Sequence, residues 1–160
     1  MMLTAPYRLE YPYKRGLGPV LGQFFGALRA GRLLGVCSSE GTVFCPPTEF
    51  HPTTAEAMSK LVPLSGHGAV ESAYWVADPQ AHHPLQTPFA FVRIHLDGSD
   101  SFFVHVLDTG GDSSLAVKGL RVAPRWRAER QGAITDIEAF VPLDQAVDPI
   151  QSSIETIEKS

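Results

Sequence analysis

The chain has 160 residues, a formal net charge of -4, and a composition 44% hydrophobic and 19% charged. This is enough apolar material for one packed domain with a short appendage, and it argues against disorder. It also argues against nucleic-acid binding through phosphates, which calls for a basic excess. Mean hydropathy is -0.01, no apolar run nears the ~18 residues that span a bilayer, and residues 1–15 show no signal-peptide core. The expectation is a cytoplasmic protein without a membrane partner.

Fourteen glycines and thirteen prolines favour many short elements over a helical bundle. The first element follows Gly18-Pro19, where Leu21, Phe24, Phe25 and Leu28 recur at i, i+3, i+4 and i+7. That spacing predicts a helix from about Pro19 to Ala30, with Pro19 in its first turn and Gly31 as its stop. Its apolar face can dock onto the chain's own barrel or into a partner. A small hairpin comes next, Leu33 to Cys37 and Thr42 to Pro47 around Ser38-Ser39-Glu40-Gly41. A polar loop with His51 runs from Thr48 to Ser59.

From Leu61 the period changes to two. Leu61 to Gly66 and Ala69 to Ala77 read as strands joined through Gly66-His67-Gly68, and Pro79 to Pro88 is a loop holding His82 and His83. In Phe89 to Leu96, Ala90, Val92, Ile94 and Leu96 point one way, and Phe89, Phe91, Arg93 and His95 the other. Asp97 to Asp100 makes a turn and Ser101 to Leu107 returns as a hairpin. A Gly/Ser/Asp-rich connection runs from Asp108 to Gly119. A last hairpin, Leu120 to Arg127 and Ala133 to Val141, turns at Glu129 to Gly132. The tail after Pro142 carries Ile150, Ile154 and Ile157, a weak helix or a disordered end. Five or six strands with turn signals every ~8–12 residues predict a small closed barrel or a sandwich.

The order of parts resembles the acyl-CoA-associated proteins of domain of unknown function 35 (DUF35). The residues that carry it are Phe24, Phe25, Leu28 and Gly31, then Cys37, Gly41 and Pro46-Pro47. They continue with Leu64-Ser65-Gly66-His67-Gly68-Ala69-Val70-Glu71-Ser72, Pro88-Phe89-Ala90 and Leu96-Asp97-Gly98, and close with Gly119-Leu120-Arg121-Val122 and Phe140. The resemblance implies a mainly β chain: an OB-fold barrel at 61–142, preceded at 1–60 by an N-terminal helix and a zinc-ribbon-like hairpin, with a tail at 143–160. It further implies a non-catalytic accessory subunit that forms a hetero-oligomer with a thiolase-like enzyme (thiolase, acyltransferase or retro-aldolase), with acyl-CoA as a ligand of the complex. The segment from Trp126 through Gly132-Ala133-Ile134-Thr135-Asp136-Ile137 looks most like versions paired with sterol-carrier-type aldolases of steroid side-chain breakdown.

The ribbon of that family holds zinc on two C-x2-C pairs. Here those positions fall on Cys37 and Glu40, then on His51 and Thr54, so one thiolate of four survives. Thiolates supply most of the affinity of structural zinc, so the hairpin is expected to be degenerate and without zinc. The alternative is a rebuilt site on Cys37, Cys45 and His51.

Nothing in the chain matches a nucleophile elbow, a phosphate loop or a metalloprotease helix. His67 between two glycines reads as a turn residue, and His82-His83 as a solvated pair. His95 and His105 fall near Phe102 and Val92 on neighbouring strands, with their rings on opposite faces. Asp97 and Asp100 read as turn residues, and Asp136 and Glu138 as a solvated strand face. The leading site residues are therefore Leu21, Phe24, Phe25 and Leu28 for a partner protein, and Arg121, Arg125 and Arg127 for acyl-CoA phosphates. Two readings compete with the accessory subunit. One is a single-stranded nucleic-acid module using Trp126, Phe140 and the arginines. The other is a thioesterase or hydratase dependent on His67.

Overall fold

The computed structural model describes residues 8–11 and 16–146. The tail isoleucines Ile150, Ile154 and Ile157 lie outside the described residues. Helix α1 spans Gly18–Arg29 with Pro19 in its first turn. It ends in a Schellman motif: the Arg32 N–H donates to the Ala27 carbonyl, the Gly31 N–H donates to the Leu28 carbonyl, and Gly31 has φ 70°. The buried line on the helix is Val20, Phe24, Ala27 and Leu28.

After the helix, β1 (Leu33–Cys37), β2 (Val43–Phe44) and β3 (Lys60–Leu64) form a three-stranded antiparallel sheet in the order β2-β1-β3. The hairpin turn is held by Ser38, whose N–H donates to the Thr42 carbonyl and whose Oγ accepts the Thr42 N–H. β3 pairs with β1 along its whole length, from Leu33 opposite Leu64 to Cys37 opposite Lys60. The strand expected to open the barrel at residue 61 thus belongs to the arm. Alternation gives a strand's period but not its neighbour, and β1 had a free edge to fill.

Five strands make the closed barrel: β4 (Gly68–Val76), β5 (Phe89–Leu96), β6 (Phe102–Leu107), β7 (Arg121–Trp126) and β8 (Ile137–Pro142). Their order is β4-β5-β6-β8-β7, and β7 returns to β4 at Val122 opposite Gly68. β6 and β8 run parallel and all other neighbours antiparallel. This is the five-stranded Greek-key barrel of the OB-fold. Gly68 sits where β4 is squeezed against β5: a Cβ there would lie 2.6 Å from the His95 carbonyl oxygen.

The core is continuous from arm to barrel. Phe24, Leu28, Leu33 and Cys45 join Val70, Ile94, Leu96, Phe103, Val122 and Phe140 in one apolar cluster. Along β5 the expected alternation holds, with Val92, Ile94 and Leu96 inside and Phe91, Arg93 and His95 outside. Phe89 departs from it. It is fully buried in a separate cluster with Val106 and Ala139, under Val76 and Leu85, because the loop before β5 folds over this end of the sheet. The last hairpin also differs from expectation. Ile134–Asp136 is a 3-10 turn rather than strand, drawn in by the buried Asp136 carboxylate, which accepts N–H bonds from Gln131, Gly132 and Ala133.

Candidate functional site

β6 and β8 are bridged only where Leu107 meets Phe140. Beyond that bridge they diverge, and a groove of about 230 Å³ opens at the seam. Its apolar walls are Phe91, Val104, Val106 and Ile137, with Pro84 from the β4–β5 loop. Its polar edge is His105, Thr135, Arg127 and Glu138. The groove thus lies on the outer side of the second and third barrel strands, between the first and last inter-strand loops, where OB-folds hold ligands.

An exposed apolar stripe continues the groove across the sheet. Tyr74 is 73% exposed, Phe91 39%, Phe102 44% and Val104 66%. Register places them together: Tyr74 is opposite Phe91, Arg93 opposite Val104, and His95 opposite Phe102. The Arg93 guanidinium lies 4.1 Å from the centre of the Phe102 ring, a cation–π arrangement. Isolated exposed apolar residues are ordinary, but a contiguous set rimmed by charge marks an interaction face. Period-two alternation had assigned Phe91 to the outer face. Seeing that it joins Tyr74 and Val104 requires strand pairing.

His105 forms the inner wall of the groove. Its ring stacks on Phe103 and meets Phe140 edge-on, and its buried Nδ1 has no hydrogen-bond partner among the described residues. Burial pushes its pKa down, against the backbone groups of Ile134 and Val106, which favour the charged form. As the pairing predicted, His105 is opposite Val92 and His95 opposite Phe102.

Half of the helix stripe is taken up by the chain itself. Phe24 and Leu28 are buried in the chain's own core, with Phe25 packed against them, and Leu21 is half-buried. Phe24 and Leu28 share one apolar cluster with Val70, Ile94 and Phe140 of the barrel, so burial of that cluster is what takes up this part of the helix.

The three arginines are largely committed too. Arg121 makes a two-pronged pair with Asp97, at 2.8 and 2.5 Å. Arg125 bridges Glu138 at 2.7 Å and Asp108 at 2.9 Å. Arg127 donates Nε to the Thr135 carbonyl, and its terminal nitrogens have no acceptor among the described residues. Arg127 also lies just past the end of β7 rather than within it. Phosphates would have to displace carboxylates from Arg121 and Arg125. Nor do Trp126 and Phe140 make a stacking groove, since Phe140 is fully buried and Trp126 packs against the core.

The remaining polar residues play structural parts. Asp136 is buried rather than solvated. Burial opposes its charge, but three backbone amides and Arg130 outweigh that and hold its pKa below the ordinary carboxylate value. Arg130 also donates to the Arg29 carbonyl, tying the β7–β8 loop to the C-terminus of α1. His83 is half-buried edge-on to Phe89, and its Nδ1 accepts the Gln80 N–H, so only His82 of that pair is solvated. His67 is a half-buried turn residue whose carbonyl accepts the Asp97 N–H.

The arm does not fit zinc. Cys45 is fully buried, and burial pushes its thiol up to about 12, far from a thiolate ligand. The Nδ1 of His51 already accepts the Thr53 and Thr54 amides. Among the described residues no three His, Cys, Asp or Glu side chains converge as a metal site, so a set of Cys37, Cys45 and His51 is not assembled.

No family model matches the chain, and no curated protein matches it. Solved structures do. One is a DUF35-family protein of unknown function from Sulfolobus solfataricus, with TM-score 0.55 and 16% identity, covering 67% of this chain and 78% of that one. Another is described as the Ltp2-ChsH2(DUF35) aldolase, with TM-score 0.56 and 21% identity, covering 76% of this chain and 92% of that one. The chain shares the fold of these DUF35 structures, the fold implied by the resemblance in its sequence.

Proposed function

We propose that this chain is a non-catalytic accessory subunit that binds a thiolase-like enzyme acting on an acyl-CoA thioester. The observation that carries this reading is the character of its exposed features. The prominent one is an apolar face on the barrel, not a nucleophile with a base. The shared fold with a structure named as an aldolase and labelled DUF35 supports it, as does the sequence resemblance. On this reading the partner holds the reacting atoms and most of the coenzyme A contacts, since Arg121 and Arg125 are occupied by Asp97, Asp108 and Glu138. The closing segment around Gly132 to Ile137 extends the proposal to a retro-aldolase acting on a steroid side chain.

Co-expression with a thiolase-like enzyme of the same genome tests it. A stoichiometric complex whose acyl-CoA activity exceeds that of the partner alone is expected. A partner fully active by itself, with no complex formed, would overturn the reading. So would acyl-CoA turnover by this chain alone that is abolished by His67→Ala.

A nucleic-acid module has one observation in its favour, the exposed Tyr74, Phe91 and Phe102 on the strands where OB-folds stack bases. The net charge of -4 opposes it. A salt-dependent shift of a labelled single-stranded oligonucleotide at micromolar protein would establish it.

A further inference from the structure

The groove at the β6–β8 seam is small for a ligand of its own. At about 230 Å³ it falls below the roughly 300 Å³ at which small-molecule pockets begin. Its apolar walls match one leucine- or phenylalanine-sized group. It is also continuous with a much wider apolar stripe, so what covers it must extend beyond the groove. A protein interface has that form, with one anchor side chain in a pocket and flat apolar contact around it.

Charge narrows the choice. Of the carboxylates near this face, Glu71 is paired with Lys118, and Glu138 shares Arg125 with Asp108. The guanidinium groups of Arg93 and Arg127 have no carboxylate partner among the described residues. On a chain of net charge -4, this is an apolar patch with two guanidinium groups at its rim that have no salt-bridge partner among the described residues. It complements a segment that offers an apolar side chain beside an Asp or Glu.

From this we propose that the outer face of β4, β5 and β6, centred on Val104 and the seam groove, is the surface on which the partner enzyme docks. The partner inserts one large apolar side chain between Phe91, Val106 and Ile137, and places carboxylates against Arg127 and Arg93. This inference rests on the accessory-subunit reading and relocates the contact from α1 to the barrel.

The test is a binding titration of the full chain against a co-expressed thiolase-like enzyme, with Val104→Asp, Phe91→Ser and Arg127→Glu. Val104 is well exposed, so Val104→Asp is expected to melt near the parent temperature. Melting curves of Phe91→Ser and Arg127→Glu, whose side chains contact Phe89 and the Thr135 carbonyl, separate lost folding from lost docking. Each should weaken the complex about tenfold or more, and added salt should weaken the parent complex. Val117→Asp, on an exposed loop residue elsewhere, should bind as the parent does. A parent complex that all three variants leave unchanged would overturn the docking face alone. Failure of the parent chain to bind would overturn the accessory reading and this inference with it. Two further results would overturn the assigned occupant: self-association of the parent chain abolished by Val104→Asp, or binding of octanoyl-CoA or an oligonucleotide to the isolated chain that the same variant abolishes.

Discussion

Asp100 and Val43 exchange two hydrogen bonds across the joint between arm and barrel. The Val43 N–H donates to Asp100 Oδ2 at 2.7 Å, and the Asp100 N–H donates to the Val43 carbonyl at 2.7 Å. One step along, the Cys45 N–H donates to Ser101 Oγ at 2.8 Å, and that hydroxyl donates back to the Cys45 carbonyl at 3.0 Å. The β5–β6 turn thus gives β2 the partner its outer edge would otherwise lack.

This joint predicts a specific pattern of loss. Asp100→Ala removes one acceptor at an exposed position and should cost about 1 kcal/mol. Ser101→Ala strands both polar groups of Cys45 in a partly buried site and should cost more, about 1–3 kcal/mol. Urea midpoints with an unchanged m-value measure both. The double variant should cost less than the sum of the two, because the pairs share one strand.

Two glycines should respond in opposite ways to alanine. At Gly68 the new Cβ would meet the His95 carbonyl oxygen at 2.6 Å and Ile94 Cγ2 at 2.8 Å, so Gly68→Ala should destabilise by about 1–3 kcal/mol. Gly22 lies inside α1 with nothing within 4 Å of its Cβ position. Gly22→Ala should stabilise by about 0.5–1 kcal/mol. Thermal unfolding of the pair resolves the sign of each.

Asp136→Ala should be among the costlier single changes outside the apolar core. It leaves the amides of Gln131, Gly132 and Ala133 without their acceptor, a loss of about 1–3 kcal/mol. Because its folded pKa is lowered from 3.8, its contribution is present above that value and lost as pH falls further. The parent and Asp136→Ala should therefore converge in stability in strong acid, as acid-unfolding curves would show.

His105 predicts a loss at milder acidity. Its folded pKa is lowered from 6.5 by burial, so the unfolded chain takes up the proton first. Stability from this site is full above about pH 6.5 and declines as pH drops below it. Arg127 and Glu138 line the same groove, Arg127 opposing the added charge and Glu138 favouring it. His105→Gln should flatten the change in urea midpoint between about pH 7.5 and pH 5.5. An equally steep dependence in the variant would assign the effect to other histidines.

The helix was legible because its apolar period and its Gly31 stop are local signals. The alternation of β5 and the turn before β6 fixed the His95–Phe102 and Val92–His105 neighbours for the same reason. The loop polar residues were not legible. Asp97, Asp100 and Asp136 look alike in sequence, yet one pairs with Arg121, one holds the arm, and one fills a ring of amides. The Gly132-x-x-x-Asp136 spacing was the available signal for the last, since a carboxylate at that offset can reach back to a turn's amides.

What the sequence determined by itself was the inventory: one amphipathic helix, a ribbon-like arm short of ligands, and strands enough for a barrel. Period and turn chemistry act over a few residues, so they are written locally. Tertiary structure alone decided where each surface went. It gave β3 to the arm, sank the Phe24 and Leu28 face of α1 into the chain's own core, and spent Arg121 and Arg125 on neighbouring carboxylates. It also brought Tyr74, Phe91, Phe102 and Val104 onto one exposed face. Those outcomes depend on which segments meet, and burial and pairing across distant positions set that only when the whole chain closes.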